Sequence, residues 1–111
     1  MNINSMNNCI FCDVIAGKLL STKLYEDDDV IVIRDIHPAA PVHLLVISKK
    51  HISELLEVPD GLAGKMMMVV NKIIKEQRIE QYRIVINGKG AVFVDHLHIH
   101  VLGKIDKERT L

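Results

Sequence analysis

The chain has 111 residues, a length that fits one domain and leaves no room for a second. Its 14 basic and 14 acidic residues balance, which argues against DNA or long RNA as the main partner, because such partners need a basic field. No apolar run approaches the roughly 20 residues of a membrane span, and the polar residues 1–8 lack a signal-peptide pattern. We expect a cytoplasmic protein with a flexible tail at residues 1–8 and a single domain at residues 9–111.

The amino-terminal half combines one short helix with three strands. Residues 10–16 predict the helix, which ends at Gly17. Residues 35–42 contain two prolines and predict a loop. Three segments of apolar and β-branched residues predict strands: residues 23–26, 30–34 and 43–48.

The carboxy-terminal half begins with one long helix, opened by Pro59 and Asp60. Its apolar stripe recurs at helical spacing and is formed by Leu62, Met66, Val69, Val70 and Ile73. The methionine triplet 66–68 therefore indicates core packing rather than an adaptable binding groove. Strands are predicted at residues 82–86 and 92–102. This order of elements predicts an α+β fold, with an antiparallel sheet of about five strands and one long and one short helix.

Three histidines alternate with aliphatic residues in the last predicted strand: His96, His98 and His100. Because side chains alternate along a strand, the three imidazoles share one face and start about 6.5 Å apart. Regular spacing on an apolar strand disfavours a chance cluster. The row is either a metal site or a nucleophilic site. In the second case a neutral ring nitrogen attacks phosphorus while a neighbouring imidazole, in its charged form, donates to the phosphate oxygens.

The two cysteines, Cys9 and Cys12, have the two-residue gap that lets both thiolates bind one metal ion. In a reducing compartment they are metal ligands or free thiols rather than a disulfide. A redox pair would normally open a helix that follows a strand, whereas only a polar segment precedes Cys9. The residues alone leave free thiols and half of a metal site open.

Several ordered motifs over residues 9–103 resemble the histidine triad (HIT) family, and closely its nucleotide-binding, Hint-like branch of small phosphoramidases. The first motifs are Cys9-Ile10-Phe11-Cys12, Tyr25-Glu26-Asp27-Asp28, Asp35-Ile36 and Ala40-Pro41-Val42-His43. The later ones are the segments 46–52, 82–87 and 96–103. The resemblance implies a HIT-like fold.

The resemblance also implies a mechanism that needs no metal for its chemistry. His98 would attack the α-phosphorus of a purine nucleoside 5′-phosphoramidate or a related nucleotide conjugate. A nucleotidyl-histidine would form, and water would release the nucleoside monophosphate. His100 would lie on the phosphate oxygens, and His43 would support the triad through hydrogen bonds. In family members a backbone carbonyl fixes the tautomer of the nucleophile.

Substrate-binding residues follow from the same resemblance. Asp35 would accept hydrogen bonds from the ribose hydroxyls, and Asn87 would reach the phosphate. Backbone amides of Gly88 and Gly90 could add donors. The slot for the base would be formed by Ile10, Phe11, Val14, Ile33, Ile36 and Leu45. Without the resemblance, Asp35 is better explained as a turn residue and the apolar side chains as core.

In zinc-bearing members the remaining metal ligands are the histidine of a Lys-Lys-His segment and the first histidine of the triad. The resemblance therefore implies a structural zinc site formed by Cys9, Cys12, His51 and His96. Family members of this size also pair through the long helix and a sheet edge, so we expect a homodimer.

One departure from the family pattern bears on activity. Many members carry Gly-Gln-Ser just before the triad, and the Ser and Gln contact the phosphate and the leaving group. Here Ala91, Val92 and Phe93 stand at those positions. Losing one positioned donor can cost about 2.7–4 kcal/mol in barrier, which predicts slow turnover or another substrate. Two alternatives stay open: a nucleotide-binding or interaction module with weak or no catalysis, and a dinucleoside polyphosphate hydrolase.

Overall fold

The computed structural model describes residues 9–106. The predicted tail at residues 1–8 lies outside the described residues, as do residues 107–111. Two helices and five strands follow in the order α1 (Ile10–Ile15), β1 (Lys23–Glu26), β2 (Val30–Arg34), β3 (Val42–Ser48), α2 (Leu62–Glu76), β4 (Arg83–Val85) and β5 (His98–Gly103). Within residues 9–106, no helix combines the length and the apolar composition needed to cross a bilayer.

The five strands form one sheet in the order β1-β2-β3-β5-β4, and all neighbouring strands are antiparallel. This confirms the predicted α+β fold with one long and one short helix. Strand β5, which carries the histidines, lies between β3 and β4. Because hydrogen bonds hold β5 on both sides, the directions of its side chains are fixed.

The two faces of the sheet are covered by different helices. On one face, Val32 and Val46 pack with α2 in the larger apolar cluster. On the other face, Ile33 and Leu45 pack with Phe11 of α1 in a smaller cluster. Both faces of β2 and β3 are therefore buried, which explains why the sequences of these strands are almost continuously apolar. Burying each such side chain contributes about 1.5–3 kcal/mol.

Helix α2 begins at Leu62, after Gly61 in a left-handed conformation (φ 86°), rather than at Pro59-Asp60. Its predicted stripe is buried at Met66, Val69, Val70 and Ile73. The expectation of core packing for the whole methionine triplet is wrong. Met66 is 1% exposed, but the next two methionines, residues 67 and 68, are 44% and 74% exposed because the helical period turns them outward.

The last strand is shorter than predicted, since β5 begins at His98 and not at residue 92. Pairing decides this boundary, because the β3–β5 ladder ends at the pair Ile47–His98. Before it, the Leu97 N–H donates to the carbonyl of Ile52, which lies beyond the end of β3. Strand β4 is likewise limited to Arg83–Val85. Residues 86–97 therefore form the connection from β4 to β5, and this connection contains the first triad histidine, His96.

Candidate active site and metal centre

Strand β5 places two triad rings side by side on the face that α1 covers. His98 pairs with Ile47 and His100 with Leu45, and both partners face α1. The centroids of the two rings are 4.9 Å apart. His96, just before the strand, is fully buried, and Phe11 of α1 contacts the rings of both His96 and His98 edge-on. The predicted row of imidazoles is therefore present, although only two of its members lie on the strand.

The ring of His98 is fixed by its own backbone neighbourhood. Its Nδ1 lies 2.6 Å from the carbonyl oxygen of His96. A carbonyl oxygen only accepts hydrogen bonds, so Nδ1 carries the hydrogen and Nε2 of the neutral ring keeps a lone pair. His98 is 8% exposed, which limits competition from water for this bond. The geometry thus leaves Nε2 as the ring nitrogen of His98 with a free lone pair.

A chain of two hydrogen bonds fixes His100 in the tautomer opposite to that of His98, with the hydrogen on Nε2 rather than on Nδ1. The backbone N–H of Ala39 donates to Nδ1 of His43 at 2.9 Å, so neutral His43 carries its hydrogen on Nε2. That Nε2–H donates to Nδ1 of His100, also at 2.9 Å. His100 therefore keeps its own hydrogen on Nε2. The side-chain nitrogen of Asn87 lies 3.5 Å from this atom, so two N–H donors converge at one end of the site.

Burial favours the neutral forms of His100 and His43 by lowering the pKa of each. It lowers the pKa of His100 to about 4, His98 and His43 lower it further, and Asp35 opposes the shift. Burial also lowers the pKa of His43, again against Asp35. In the free protein the low pKa of His100 favours its neutral ring, and donation from His43 places the hydrogen of that ring on Nε2. The expectation of a charged imidazole concerns the complex with a phosphate and stays a prediction.

The side chains of Asp35, His43 and His100 form a group whose possible ligand atoms lie within 4.8 Å of one another. The Asp35 carboxylate accepts the backbone N–H of His37 at 2.8 Å, as a turn residue does, and lies 3.4 Å from Nε2 of His43. Because Ala39 forces the hydrogen of His43 onto Nε2, that atom donates and is not free to bind a metal ion. The group is better suited to hydrogen bonding.

The apolar residues expected to bind the base divide into a wall and a rim. Four of them are at most 7% exposed and belong to the smaller apolar cluster: Phe11, Val14, Ile33 and Leu45. Ile10 and Ile36 are 47% and 75% exposed, so they lie at the rim. Gly90, with φ of 86°, lies in the connection after Asn87, where a left-handed turn favours glycine.

The three residues that replace the family's Gly-Gln-Ser lie in the same connection. Phe93 is fully exposed, Val92 is half-buried, and the next residue, Val94, packs against the smaller apolar cluster. No side-chain donor is therefore supplied at residues 91–93.

A second cluster brings together Cys9, Cys12, His51 and His96, which could hold a metal ion. Cys9 Sγ lies 3.3 Å from Nδ1 of His96, and Cys12 Sγ lies 3.2 Å from Nδ1 of His51. Cys12 Sγ is 3.6 Å from His96 Nδ1, and the two Nδ1 atoms are 3.1 Å apart. Tetrahedral ligands at the usual zinc–sulfur and zinc–nitrogen distances are roughly 3.3–3.8 Å apart. Two of the four distances, 3.3 and 3.6 Å, fall in this range, and the other two, 3.1 and 3.2 Å, lie just below it. The ligand atoms are therefore close to tetrahedral spacing and need only a small outward shift to hold an ion.

Proton positions in this cluster also suit a cation. The Nε2–H of His96 donates to the carbonyl of Ser48 at 2.6 Å, so Nδ1 faces the sulfur atoms without a hydrogen. Burial raises the pKa of the Cys12 thiol to about 11, and Cys9 and Asp13 add to the shift. A bound cation reverses that effect by stabilising the thiolate.

The resemblance anticipated a backbone carbonyl at the nucleophile, and the structure identifies it as that of His96. Sequence reasoning missed two other backbone groups that orient rings, the N–H of Ala39 and the carbonyl of Ser48. A backbone group carries no side-chain signal, so only the fold reveals its role.

Comparison with known proteins agrees with this geometry. The HIT domain family model matches residues 16–107. Protein HitA of Neisseria gonorrhoeae is 41% identical over 104 residues, which cover 88% of this chain and 97% of that protein. Adenylylsulfatase HINT3 of Arabidopsis thaliana is 31% identical over 108 residues, which cover 92% of this chain and 55% of that protein. A HIT family hydrolase from Clostridium thermocellum superposes with a TM-score of 0.85 at 40% identity, covering 94% of this chain and 96% of that one. Sequence and fold together show that the chain belongs to the histidine triad (HIT) family.

Proposed function

We propose that the chain hydrolyses purine nucleoside 5′-phosphoramidates or related nucleotide conjugates through a covalent nucleotidyl-histidine at His98. One observation carries this proposal: neighbouring rings present an Nε2 lone pair on His98 and an Nε2–H on His100. A nucleophile and an electrophilic donor are thus held side by side without a charged group. The similarity to an adenylylsulfatase and to a HIT family hydrolase supports hydrolysis of a nucleotide conjugate.

In the first step, the Nε2 lone pair of His98 forms a bond to the α-phosphorus. The bond from phosphorus to the leaving nitrogen breaks, and the amine departs with the electron pair and a proton from solvent. His98 becomes a positively charged nucleotidyl-imidazole, and the carbonyl of His96 stabilises it by accepting the Nδ1–H. In the second step, the oxygen of a water molecule bonds to phosphorus and gives up a proton to solvent. The bond from phosphorus to Nε2 of His98 breaks, its electron pair returns to the ring, and the nucleoside monophosphate leaves neutral His98.

The neutrality of His100 suits this sequence of steps. Its Nε2–H and the Asn87 amide would donate to the phosphate oxygens as charge develops there. A charged imidazole 4.9 Å from the nucleotidyl-His98 ring would repel that cationic intermediate. His43 contributes by holding the His100 hydrogen on the side that faces substrate.

The neighbouring residues would bind the nucleoside. The buried wall that contains Phe11 and Leu45 would contact the base, with Ile10 and Ile36 covering its edge. The Asp35 carboxylate would accept hydrogen bonds from the ribose hydroxyls, as expected for a vicinal diol beside an acceptor. Backbone amides near Gly90 would add donors for the phosphate.

We further propose that the Cys9, Cys12, His51 and His96 cluster binds zinc. The near-tetrahedral spacing and the proton-free Nδ1 of His96 support this assignment. Zinc held by four protein ligands is structural: it would tie α1 to the start of β5. Metal analysis of the purified protein, with Cys9→Ser and Cys12→Ser as controls, tests the site. Finding no zinc in unmodified protein would refute it.

We expect a homodimer in which a second copy of the chain covers the exposed apolar face of α2. Met67, Met68 and Tyr82 are exposed there, beside the edge strand β4. Exposed apolar side chains next to an open sheet edge favour association. Light scattering should give twice the chain mass, and Met68→Lys should shift the protein towards monomer.

Single-turnover mass spectrometry with adenosine 5′-phosphoramidate tests the enzymatic proposal. Wild-type protein should gain the mass of one adenylyl group, and His98→Ala should not. The rival, a nucleotide-binding module, is favoured by the apolar residues Val92 and Phe93. Binding of AMP with neither adduct nor turnover in the wild type would support that module and refute the enzyme.

A further inference from the structure

One residue, His96, contributes its ring to the metal cluster and its backbone carbonyl to the hydrogen bond that orients His98. From this we infer that the cluster of Cys9, Cys12, His51 and His96, when it holds a metal ion, positions His98 for attack. Metal binding would then set the rate of nucleotidyl transfer in addition to stabilising the fold. The inference rests on the proposed function of His98.

The first connection runs through the peptide of His96. The ring Nδ1 of His96 belongs to the cluster, and its Nε2–H is held by the carbonyl of Ser48. The carbonyl of the same residue accepts the Nδ1–H of His98 at 2.6 Å. His96 precedes β5, and the peptide between His96 and Leu97 is held by one backbone hydrogen bond, from the Leu97 N–H to the carbonyl of Ile52. A His96 ring anchored at both nitrogens adds a second constraint on this peptide, and therefore on the direction of the carbonyl.

The second connection runs through Phe11, which lies between the two cysteines. Its ring contacts the His98 ring edge-on, with centroids 4.9 Å apart, and the His96 ring at 5.8 Å. Phe11 is carried by α1, which has only six residues. A helix this short is not stable alone, so its position depends on what it contacts. Metal ligation by Cys9 and Cys12 would hold α1, and with it Phe11, against the nucleophile.

Both connections affect the orientation of the His98 ring. If the His96 peptide rotates, the His98 Nδ1–H loses its acceptor, and the ring can turn or exchange its hydrogen to Nε2. Misplacing a reacting group by about 1 Å can cost about 100-fold in rate. Asp35, Asn87 and the base-wall residues Ile33 and Leu45 lie outside both the cluster and α1. Most nucleotide contacts should therefore persist, and nucleotide affinity should change less than the rate.

The test compares wild type with His51→Asn, which removes one ligand and leaves His96, Phe11 and His98 unchanged. Lys50→Ala, at the exposed neighbouring residue, is the matched control. We expect His51→Asn to lose metal and to form the adduct about 10-fold more slowly at saturating phosphoramidate, with AMP affinity changed less than about threefold. In ¹⁵N NMR without substrate, the His98 ring should change from one Nδ1–H tautomer to a mixture.

A folded, metal-free His51→Asn protein with wild-type adduct rate and an unchanged His98 tautomer would overturn the inference. If His51→Asn does not fold, Phe11→Leu decides, because it keeps all four ligands. It should bind metal normally and form the adduct at least about threefold more slowly at saturating substrate. An unchanged rate would again overturn the inference. If wild type forms no adduct, the proposed function fails, whereas the NMR comparison still tests positioning.

Discussion

The hydrogen-bond chain from Ala39 through His43 to His100 can be cut at either end by one substitution. His43→Asn places an amide near the former Nδ1, so it keeps the acceptor for Ala39 and loses the donor to His100. His43→Gln places an amide near the former Nε2, so it keeps that donor and loses the acceptor. In His43→Asn the partly buried His100 Nδ1 loses its donor, and in His43→Gln the N–H of Ala39, an exposed residue, loses its acceptor. The free energy of unfolding should fall by about 1–3 kcal/mol in His43→Asn and by less in His43→Gln, because water can reach the freed N–H.

The two variants should differ in catalysis. Complete loss of one positioned donor to the phosphate costs about 2.7–4 kcal/mol. In His43→Asn the His100 ring retains part of its correct tautomer by itself, so the loss should be smaller. We expect kcat to fall about 10- to 100-fold, or about 1.4–2.7 kcal/mol. In His43→Gln, kcat should stay within about fivefold of wild type because His100 keeps its donor.

The assay is steady-state hydrolysis of adenosine 5′-phosphoramidate, with urea unfolding measured on the same samples. Comparing kcat of the two variants, with the unfolding free energy of each, separates the hydrogen-bond direction from a general loss of folding. Equal kcat values for His43→Asn and His43→Gln would refute the idea that donation from residue 43 to His100 Nδ1 matters.

Further predictions concern pH, the residues before the triad and one glycine. The folded pKa of His100, about 4, lies below its ordinary value of 6.5, so the neutral ring contributes stability above pH 6.5 that is lost as pH falls towards 4. Allowing for solvent screening, wild type should lose about 1–2 kcal/mol more than His100→Asn over this range in urea unfolding. Val92→Gln combined with Phe93→Ser should raise kcat by about 10-fold in the hydrolysis assay, because it restores donors. In Gly103→Ala the new methyl group would lie 2.6 Å from Ile79 Cγ2, so the free energy of unfolding should fall by about 1–3 kcal/mol.

Each of these predictions has a contrary outcome. A pH dependence of stability that is the same in wild type and His100→Asn would contradict a buried neutral ring. The Val92 and Phe93 prediction fails if kcat rises no more than in Leu56→Ser, an exposed apolar control. For Gly103 the control is Gly64→Ala in α2, where a Cβ meets nothing within 4 Å and helix propensity predicts a gain of up to about 1 kcal/mol. A Gly103→Ala protein as stable as wild type would contradict the packing argument.

The fold was largely predictable because local patterns and tertiary packing agree. Strands β1 and β2 match their predicted bounds, and the stripe of α2 is buried as its period indicates. Errors fall at element ends, as at His98, because strand boundaries depend on a pairing partner rather than on the strand's own residues. The exposure of Met67 and Met68 shows that composition alone does not assign a residue to the core.

The site was predictable where chemistry resides in side chains. The resemblance to zinc-bearing HIT proteins implied the set of two cysteines and two histidines that the structure places in one cluster. The charge state of His100 was not predictable, because burial by the fold sets it. Nor does any sequence pattern identify the N–H of Ala39 or the carbonyl of Ser48, which decide the tautomers of His43 and His96.

The stereochemical outcome at phosphorus tests the covalent intermediate most directly. One diastereomer of an adenosine 5′-phosphorothioamidate would be hydrolysed in ¹⁸O-labelled water, and the configuration of the product would be determined. Each in-line displacement inverts phosphorus, so attack by His98 followed by attack by water should give net retention. Net inversion would show a single displacement by water and would contradict a nucleotidyl-histidine.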